Sequence, residues 1–231
     1  GSGDKANLLL PAPQRKLMEI VAKTGKPVIL INMTGSAMDL RFAEENFSAV
    51  VQGWYPGARG GKAIAELLFG KYSFSGKLPV TFYNDSDELP AFTDYAMENR
   101  TYRYFTGGVL YPFGYGLTYG KTEVTKAEMR DDGEHYTITA TVKNEGCAVH
   151  EILQVYVRDN ESEFAVRNHS LCAFKAVSLG AKETCDVEIT VPKAALEIVD
   201  DTGTRRVDSR SFTFFVGTSQ PDDRSAELLG T

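Results

Sequence analysis

The chain has 231 residues, a formal net charge of -6, 42% apolar residues and 24% charged residues, a globular composition and not a disordered or fibrous one. The acidic balance argues against nucleic acid or an anionic membrane surface as the main partner, and the longest apolar runs, such as "PVILIN", are far too short to span a bilayer. The length allows one large or two ordinary domains.

In chain order, "PAPQRKLMEIVAKTG" predicts a helix with Leu17, Ile20 and Val21 on one face, proline at its start and Gly25 as its stop. "PVILIN" (Pro27 to Asn32) reads as a strand buried on both faces. "GSAMDLRFAEEN" opens a second helix at Ser36, and "SAVVQGW" gives a second strand. "RGGKAIAELLFG" makes a third helix with Ala63, Ile64, Leu67 and Leu68 inward, and "LPVTFY" a third strand. Strict alternation of strand and helix implies parallel strands with helical crossovers. So few parallel strands make an incomplete sheet, with an open edge and an uncovered apolar face.

After residue 120 the period becomes two. "YTITATVKN", "ILQVYVRD", "LCAFKAVSL", "DVEITVP" and "SFTFFVG" predict an antiparallel β-sandwich of the immunoglobulin or fibronectin type III class. The expected organisation is a partial parallel-sheet α/β sandwich over residues 1–90, an aromatic Gly- and Pro-rich connection over 91–120 that packs across the domain boundary, and an all-β domain over 121–231.

Cys147, Cys172 and Cys185 cannot all pair within the chain, and two lie in alternating apolar segments, so buried free thiols are expected. With free thiols expected and no charged-then-apolar leader in view, the expected setting is soluble and cytoplasmic, with secretion as the alternative. The N-x-S/T sequons at Asn32, Asn46, Asn84, Asn99, Asn160 and Asn168 read as chance, since several abut apparent core segments with no room for a glycan.

The residues alone name little chemistry. No Ser-His-Asp signature appears. His135, His150 and His169 lack metal-ligand spacing and read as surface or strand histidines. The glycines of "GARGG" miss both phosphate-loop and dinucleotide patterns. Adjacent carboxylates at Glu44 and Glu45, Asp131 and Asp132, Asp200 and Asp201, and Asp222 and Asp223 point in different directions on a helix or strand, so they do not form a pair facing one bond. No metal or cofactor is expected.

The segments "VVQGWYPGARGGKAIAELLFGKYSFSGKLPVTFY", "LPAFTDYAMENRTYRYF" and "LYPFGYGLTYG" closely resemble the C-terminal half of glycoside hydrolase family 3. "TATVKNEGCAVHEILQVYVRD", "LCAFKAVSLGAKETCDVEITVP" and "FTFFVGTSQPDD" resemble its fibronectin type III-like domain. The resemblance implies an exo-acting retaining β-glucosidase or β-xylosidase acting on terminal non-reducing β-linked sugars. Its barrel domain carries the aspartate nucleophile, and a loop just before Asp4 and Lys5 carries the glutamate acid/base. Both catalytic carboxylates, which a retaining mechanism holds about 5 Å apart, are then expected upstream of Gly1, and no residue of this chain is assigned as catalytic. The implied partners are a β-linked glycoside and an N-terminal barrel half as an earlier segment or separate chain; a second copy of this chain is the other candidate to cover the open sheet edge. The other reading is a non-catalytic carbohydrate-binding or assembly module.

By the same resemblance "GWYPGARGG" is a structural turn. Trp54 and Tyr55 are candidates for a sugar-stacking platform, with packing against the barrel or sandwich core the expected role. Arg100, Tyr102, Arg103 and Tyr104 are candidates for the rim of the sugar pocket, with a tether across the domain boundary as the expected role.

Overall fold

The computed structural model describes residues 7–231; Asp4 and Lys5 lie outside them. The elements in chain order are α1 (Ala12–Ala22), β1 (Ile29–Asn32), α2 (Arg41–Asn46), β2 (Ala49–Gln52), α3 (Gly60–Leu68), β3 (Phe82–Tyr83), α4 (Thr101–Tyr104) and β4 (Val109–Tyr111). They continue as β5 (Thr122–Asp131), β6 (His135–Asn144), β7 (Val149–Asp159), β8 (Ser170–Leu179), β9 (Thr184–Pro192), β10 (Ile198–Val199), β11 (Arg205–Arg206), β12 (Phe212–Gly217) and α5 (Asp223–Leu229). The chain divides into two compact units. One runs to Lys71 and adds Thr81–Ala96 and Thr106–Tyr111; the other comprises Tyr72–Val80, Met97–Phe105 and Pro112–Thr231.

The first unit is α/β. β1 and β2 pair in parallel, Ile29 opposite Ala49 through Asn32 opposite Gln52, with α2 between them in sequence. α1 starts where Pro11 and Pro13 preset the backbone and ends at Ala22, three residues before Gly25, whose φ is +66°. Its apolar stripe differs from the expectation: Met18 is the buried residue, while Leu17 is 60% and Ile20 55% exposed. β1 likewise is not buried on both faces, since Ile29 is exposed and only Asn32 is buried. Both departures have one reason, that no described element of this unit covers that apolar surface.

Three further expectations are corrected. α2 begins at Arg41 and not at Ser36. The residues before it are held as a loop, because the Thr34 hydroxyl donates to Ser36 O (2.9 Å) and Gln52 Nε2 donates to Thr34 O (3.0 Å). "LPVTFY" forms only the short β3, which pairs antiparallel with β4 instead of extending the parallel pair. Its first residues belong to the other unit, where Leu78 exchanges backbone hydrogen bonds with Tyr115 and Gly114. On α3, Ile64, Leu67 and Leu68 are half-buried, but Ala63 faces solvent. The glycine-lined turn before α3 needs Gly60, because a Cβ there would fall 2.4 Å from Pro56 Cβ.

The second unit is an antiparallel sandwich of two sheets, β5-β6-β9 and β12-β7-β8. Alternation on β6 and β9 sends Ile138, Ala140, Val142, Val187, Ile189 and Val191 inward against Leu153 and Val155 of β7. Each fully buried Val, Leu or Ile contributes roughly 1.5–3 kcal/mol. β5, which the sequence reading passed over, is almost wholly exposed, and its charge-rich outer edge discourages pairing with another chain.

Candidate functional site

In an open α/β sheet ligands gather at the carboxyl ends of parallel strands. At those ends of β1 and β2, Asn32 Nδ2 donates to Gln52 Oε1 (2.7 Å) and to Thr34 Oγ1 (3.1 Å). The strand-end side chains thereby satisfy one another although Asn32 is buried. Just beyond, Trp54 has φ +51°, sparsely populated for a bulky residue. It is half-buried, with its ring edge-on to Phe82 at 6.3 Å. Tyr55 lies against Gly35 and is 81% exposed.

The same unit carries a polar clamp that the sequence reading did not single out. Arg41 donates to Asp39 through Nε (2.9 Å) and Nη2 (2.6 Å), the two-pronged geometry that makes such pairs strong. Those hydrogen bonds hold the Asp39 carboxyl below the usual carboxylate range, against its partial burial. The Asp39 backbone N–H donates to Leu8 O (2.8 Å), and Arg41 also approaches Asp85 at 3.9 Å. A hollow of about 370 Å³, walled by Arg15, Glu19, Asp39 and Arg41, lies beside this pair. A second, of about 240 Å³, reaches Asn7 and the Asn84 loop, and the two share Leu9 and Asp39. The spacing D-L-R in "MDLRF" was the available signal, visible only once the loop before α2 is known.

In the second unit the "NRTYRYF" candidates separate. Tyr102 stacks on Phe113 (4.1 Å between centroids, 9° between planes), meets Tyr156 edge-on at 6.2 Å, and its hydroxyl accepts the Leu171 N–H (3.0 Å). Arg103 is exposed, with its guanidinium 5.8 Å from the Tyr102 ring. Arg100 and Tyr104 are half-buried at the two ends of this short turn. Asn168 binds the turn: its N–H donates to Arg103 O (2.9 Å) and its Nδ2 to Tyr102 O (3.0 Å) and Phe105 O (2.9 Å). Asn99 (φ +53°) and Thr101 (φ +57°) flank Arg100 in left-handed backbone, a costly conformation for a β-branched threonine that the surrounding contacts must sustain.

His169, read from sequence as a surface or strand histidine, is instead 4% exposed, just before β8. It packs against the rings of both Tyr102 and Tyr156, and its Nε2 has no hydrogen-bond partner among the described residues. Burial, with Arg158 adding to it, pushes its pKa down to about 4, against the pull of Asp222 and Gln220. Burial likewise raises the Tyr156 phenol; its hydroxyl donates to Gln154 Oε1 (2.6 Å), and Gln154 Nε2 donates to Gly114 O (2.8 Å). Gly114 has φ +78° and faces these groups so closely that a Cβ would fall 2.3 Å from Gln154 Oε1. Lys77 of "SGKLP" forms a buried ion pair with Glu151 (2.8 Å) and donates to Gly116 O (2.7 Å), while Thr122 donates to Glu151 Oε2 (2.6 Å). "SGKLP" and "PFGYG" are thus bound to β7 by buried polar contacts, and "NRTYRYF" to β8 and the residue two before it by part-buried ones.

No group of three His, Cys, Asp or Glu among the described residues is arranged to hold a metal, and no described helix is long and apolar enough to cross a membrane.

An α/β unit with a parallel strand pair, followed by an immunoglobulin-like sandwich, is an arrangement seen in solved β-glucosidases. A β-D-glucoside glucohydrolase from Trichoderma reesei shares the fold with a TM-score of 0.87 at 22% identity, over 96% of this chain and 36% of that one. The β-glucosidase of Listeria innocua with isofagomine bound matches at TM-score 0.81 and 28% identity, over 94% of this chain and 33% of that one. The family profile "Glycosyl hydrolase family 3 C-terminal domain" matches residues 1–119, and "Fibronectin type III-like domain" matches residues 151–220. The chain belongs to glycosyl hydrolase family 3. It is 39% identical to a xylan 1,4-beta-xylosidase of Xylanibacter ruminicola over 99% of its length, and 29% identical to a periplasmic beta-glucosidase of Salmonella typhimurium over 99%. It spans 27% and 32% of those two proteins, about a third of their length or less.

Proposed function

We propose that this chain is the C-terminal portion of a retaining, exo-acting β-glycosidase that removes terminal non-reducing β-xylosyl or β-glucosyl residues, with nucleophile and acid/base supplied from upstream of Gly1. The observation that carries the reading is the end-to-end match to β-xylosidases and β-glucosidases of which this chain spans 27% to 32%. In support, the α/β unit exposes Leu17, Ile20, Ile29 and Met33, an apolar surface suited to burial against a further domain. An N-terminal barrel, earlier in the same protein or on a second chain, is the partner we assign to it.

The test uses p-nitrophenyl β-xyloside and β-glucoside. The complete enzyme turns over one or both, and the 231-residue chain alone gives background rate, because positioning groups cannot replace a missing nucleophile. Turnover by the pure chain that disappears on mutating one of its own carboxylates overturns the reading. A cytoplasmic, reducing setting accompanies it, in keeping with a half-buried Cys172 whose thiol burial pushes up to about 12.

A further inference from the structure

Trp54 and Tyr55 are neighbours in the chain, yet the structure gives them different surroundings. The β1–β2 pairing closes where the Gly53 N–H donates to Asn32 O (2.8 Å), and the next residue, Trp54, turns the chain at φ +51°. The turn sets the Trp54 ring edge-on to Phe82 at 6.3 Å and leaves Tyr55 81% exposed. The Tyr55 ring has a seat all the same. Its phenol end takes up the space over Gly35, where a Cβ on residue 35 would fall 2.6 Å from Tyr55 Cε2 and 2.7 Å from its hydroxyl oxygen. The strand-end polar groups fix that seat. Gln52 Nε2 donates to Thr34 O (3.0 Å), the Thr34 hydroxyl donates to Ser36 O (2.9 Å), and the buried Asn32 donates to Gln52 Oε1 (2.7 Å).

A side chain that only awaits burial against another domain needs apolar area and gains nothing from a fixed orientation. Tyr55 instead has a strained residue before it, a glycine beneath it and a buried amide network holding that glycine, the kind of support given to a group that must meet a ligand at a set angle. Its place agrees, since ligands of open α/β sheets gather at the carboxyl ends of parallel strands. An outward aromatic ring with a hydroxyl at its edge matches a ligand that has an apolar face and a polar rim. A pyranose with equatorial hydroxyls is such a ligand. We propose that Tyr55, seated on Gly35, is the stacking platform of a sugar site at the carboxyl ends of β1 and β2, which takes one pyranose ring of a β-linked xylo- or gluco-oligosaccharide. The choice of β-linked sugars rests on the glycosidase reading; the platform and its seat do not.

Trp54 is the single tryptophan of the chain, so its fluorescence reports on this site alone. The 231-residue chain is titrated with xylobiose and with cellobiose, and with sorbitol as a control that has the hydroxyls but no ring. The expected result is a saturable change with a disaccharide, in the millimolar range that one ring on an open surface supports, and none with sorbitol. Tyr55→Ala is expected to weaken binding about tenfold and Tyr55→Phe, which keeps the aromatic face, less than about twofold. Gly35→Ala tests the seat. Residue 35 is not in left-handed backbone, so alanine is tolerated there, but its Cβ displaces the Tyr55 ring and should weaken binding about as much as Tyr55→Ala does. Far-ultraviolet circular dichroism checks that each variant is folded, and Tyr55→Ala decides if Gly35→Ala is not. No saturable response of the unsubstituted chain, or equal binding by Tyr55→Ala, overturns the platform. Those results leave the glycosidase reading intact, because hydrolysis of aryl β-glycosides by the complete enzyme tests that reading separately. Sugar binding lost in Tyr55→Ala supports the platform even where the complete enzyme hydrolyses none of them.

Discussion

Acidification is expected to weaken the β-sandwich unit through His169. Its ring is 4% exposed and its pKa lies near 4 in the folded chain, against 6.5 for an ordinary histidine. Between those values the unfolded chain binds a proton that the folded chain refuses, so stability falls as pH drops from about 6.5 and stops falling from this source near pH 4. At 1.36 kcal/mol per pH unit the whole loss is about 3 kcal/mol. Roughly 2 kcal/mol of it falls between pH 6.5 and 5. That upper window separates His169 from the carboxylates. Asp39, Asp131, Asp132, Glu145 and Asp200 are all held below the ordinary carboxylate values of 3.8 to 4.5, so their contributions are lost at lower pH. Urea unfolding followed by far-ultraviolet circular dichroism at pH 7, 6.5, 6, 5.5 and 5 measures the slope. His169→Gln, which carries no titratable ring, should start less stable at pH 7 and stay nearly flat down to pH 5. Equal slopes for the two proteins over this range would refute the assignment.

Cutting the buried Lys77–Glu151 pair on one side, with Lys77→Met, is expected to cost about 3–5 kcal/mol in urea unfolding, because it strands a carboxylate that is almost completely buried. The double variant Lys77→Met/Glu151→Leu should recover most of that loss, and equal stability of the single and double variants would contradict the account. Thiol titration of the unfolded, unreduced chain should count three thiols, one for each cysteine; a count of one would reveal a disulfide and argue for an oxidising compartment.

The sandwich was legible in the sequence because period-two alternation is a local property. Ile138, Ala140 and Val142 on β6 and Val187, Ile189 and Val191 on β9 announce their inward face whatever their partners are. The parallel pairing of β1 and β2 was legible for a similar reason, since a strand, a helix and a strand in succession leave few other routes. Composition and periodicity named no site. The family came from long motifs such as "WYPGARGG" and "PFGYGLTY", whose residue choices answer to contacts far away in the chain. Tertiary structure decided what those contacts are. A helix periodicity marks Leu17 and Ile20 as one apolar stripe but says nothing of whether an element lies over it, and within this unit none does. "LPVTFY" has the composition of a parallel strand, yet Leu78 is drawn to Tyr115, and only Phe82 and Tyr83 remain to pair, antiparallel, with β4. The roles of Lys77, Asn168 and His169 were invisible for the same reason: burial and hydrogen bonding belong to residues brought together from distant parts of the chain, and no window along the sequence contains both partners.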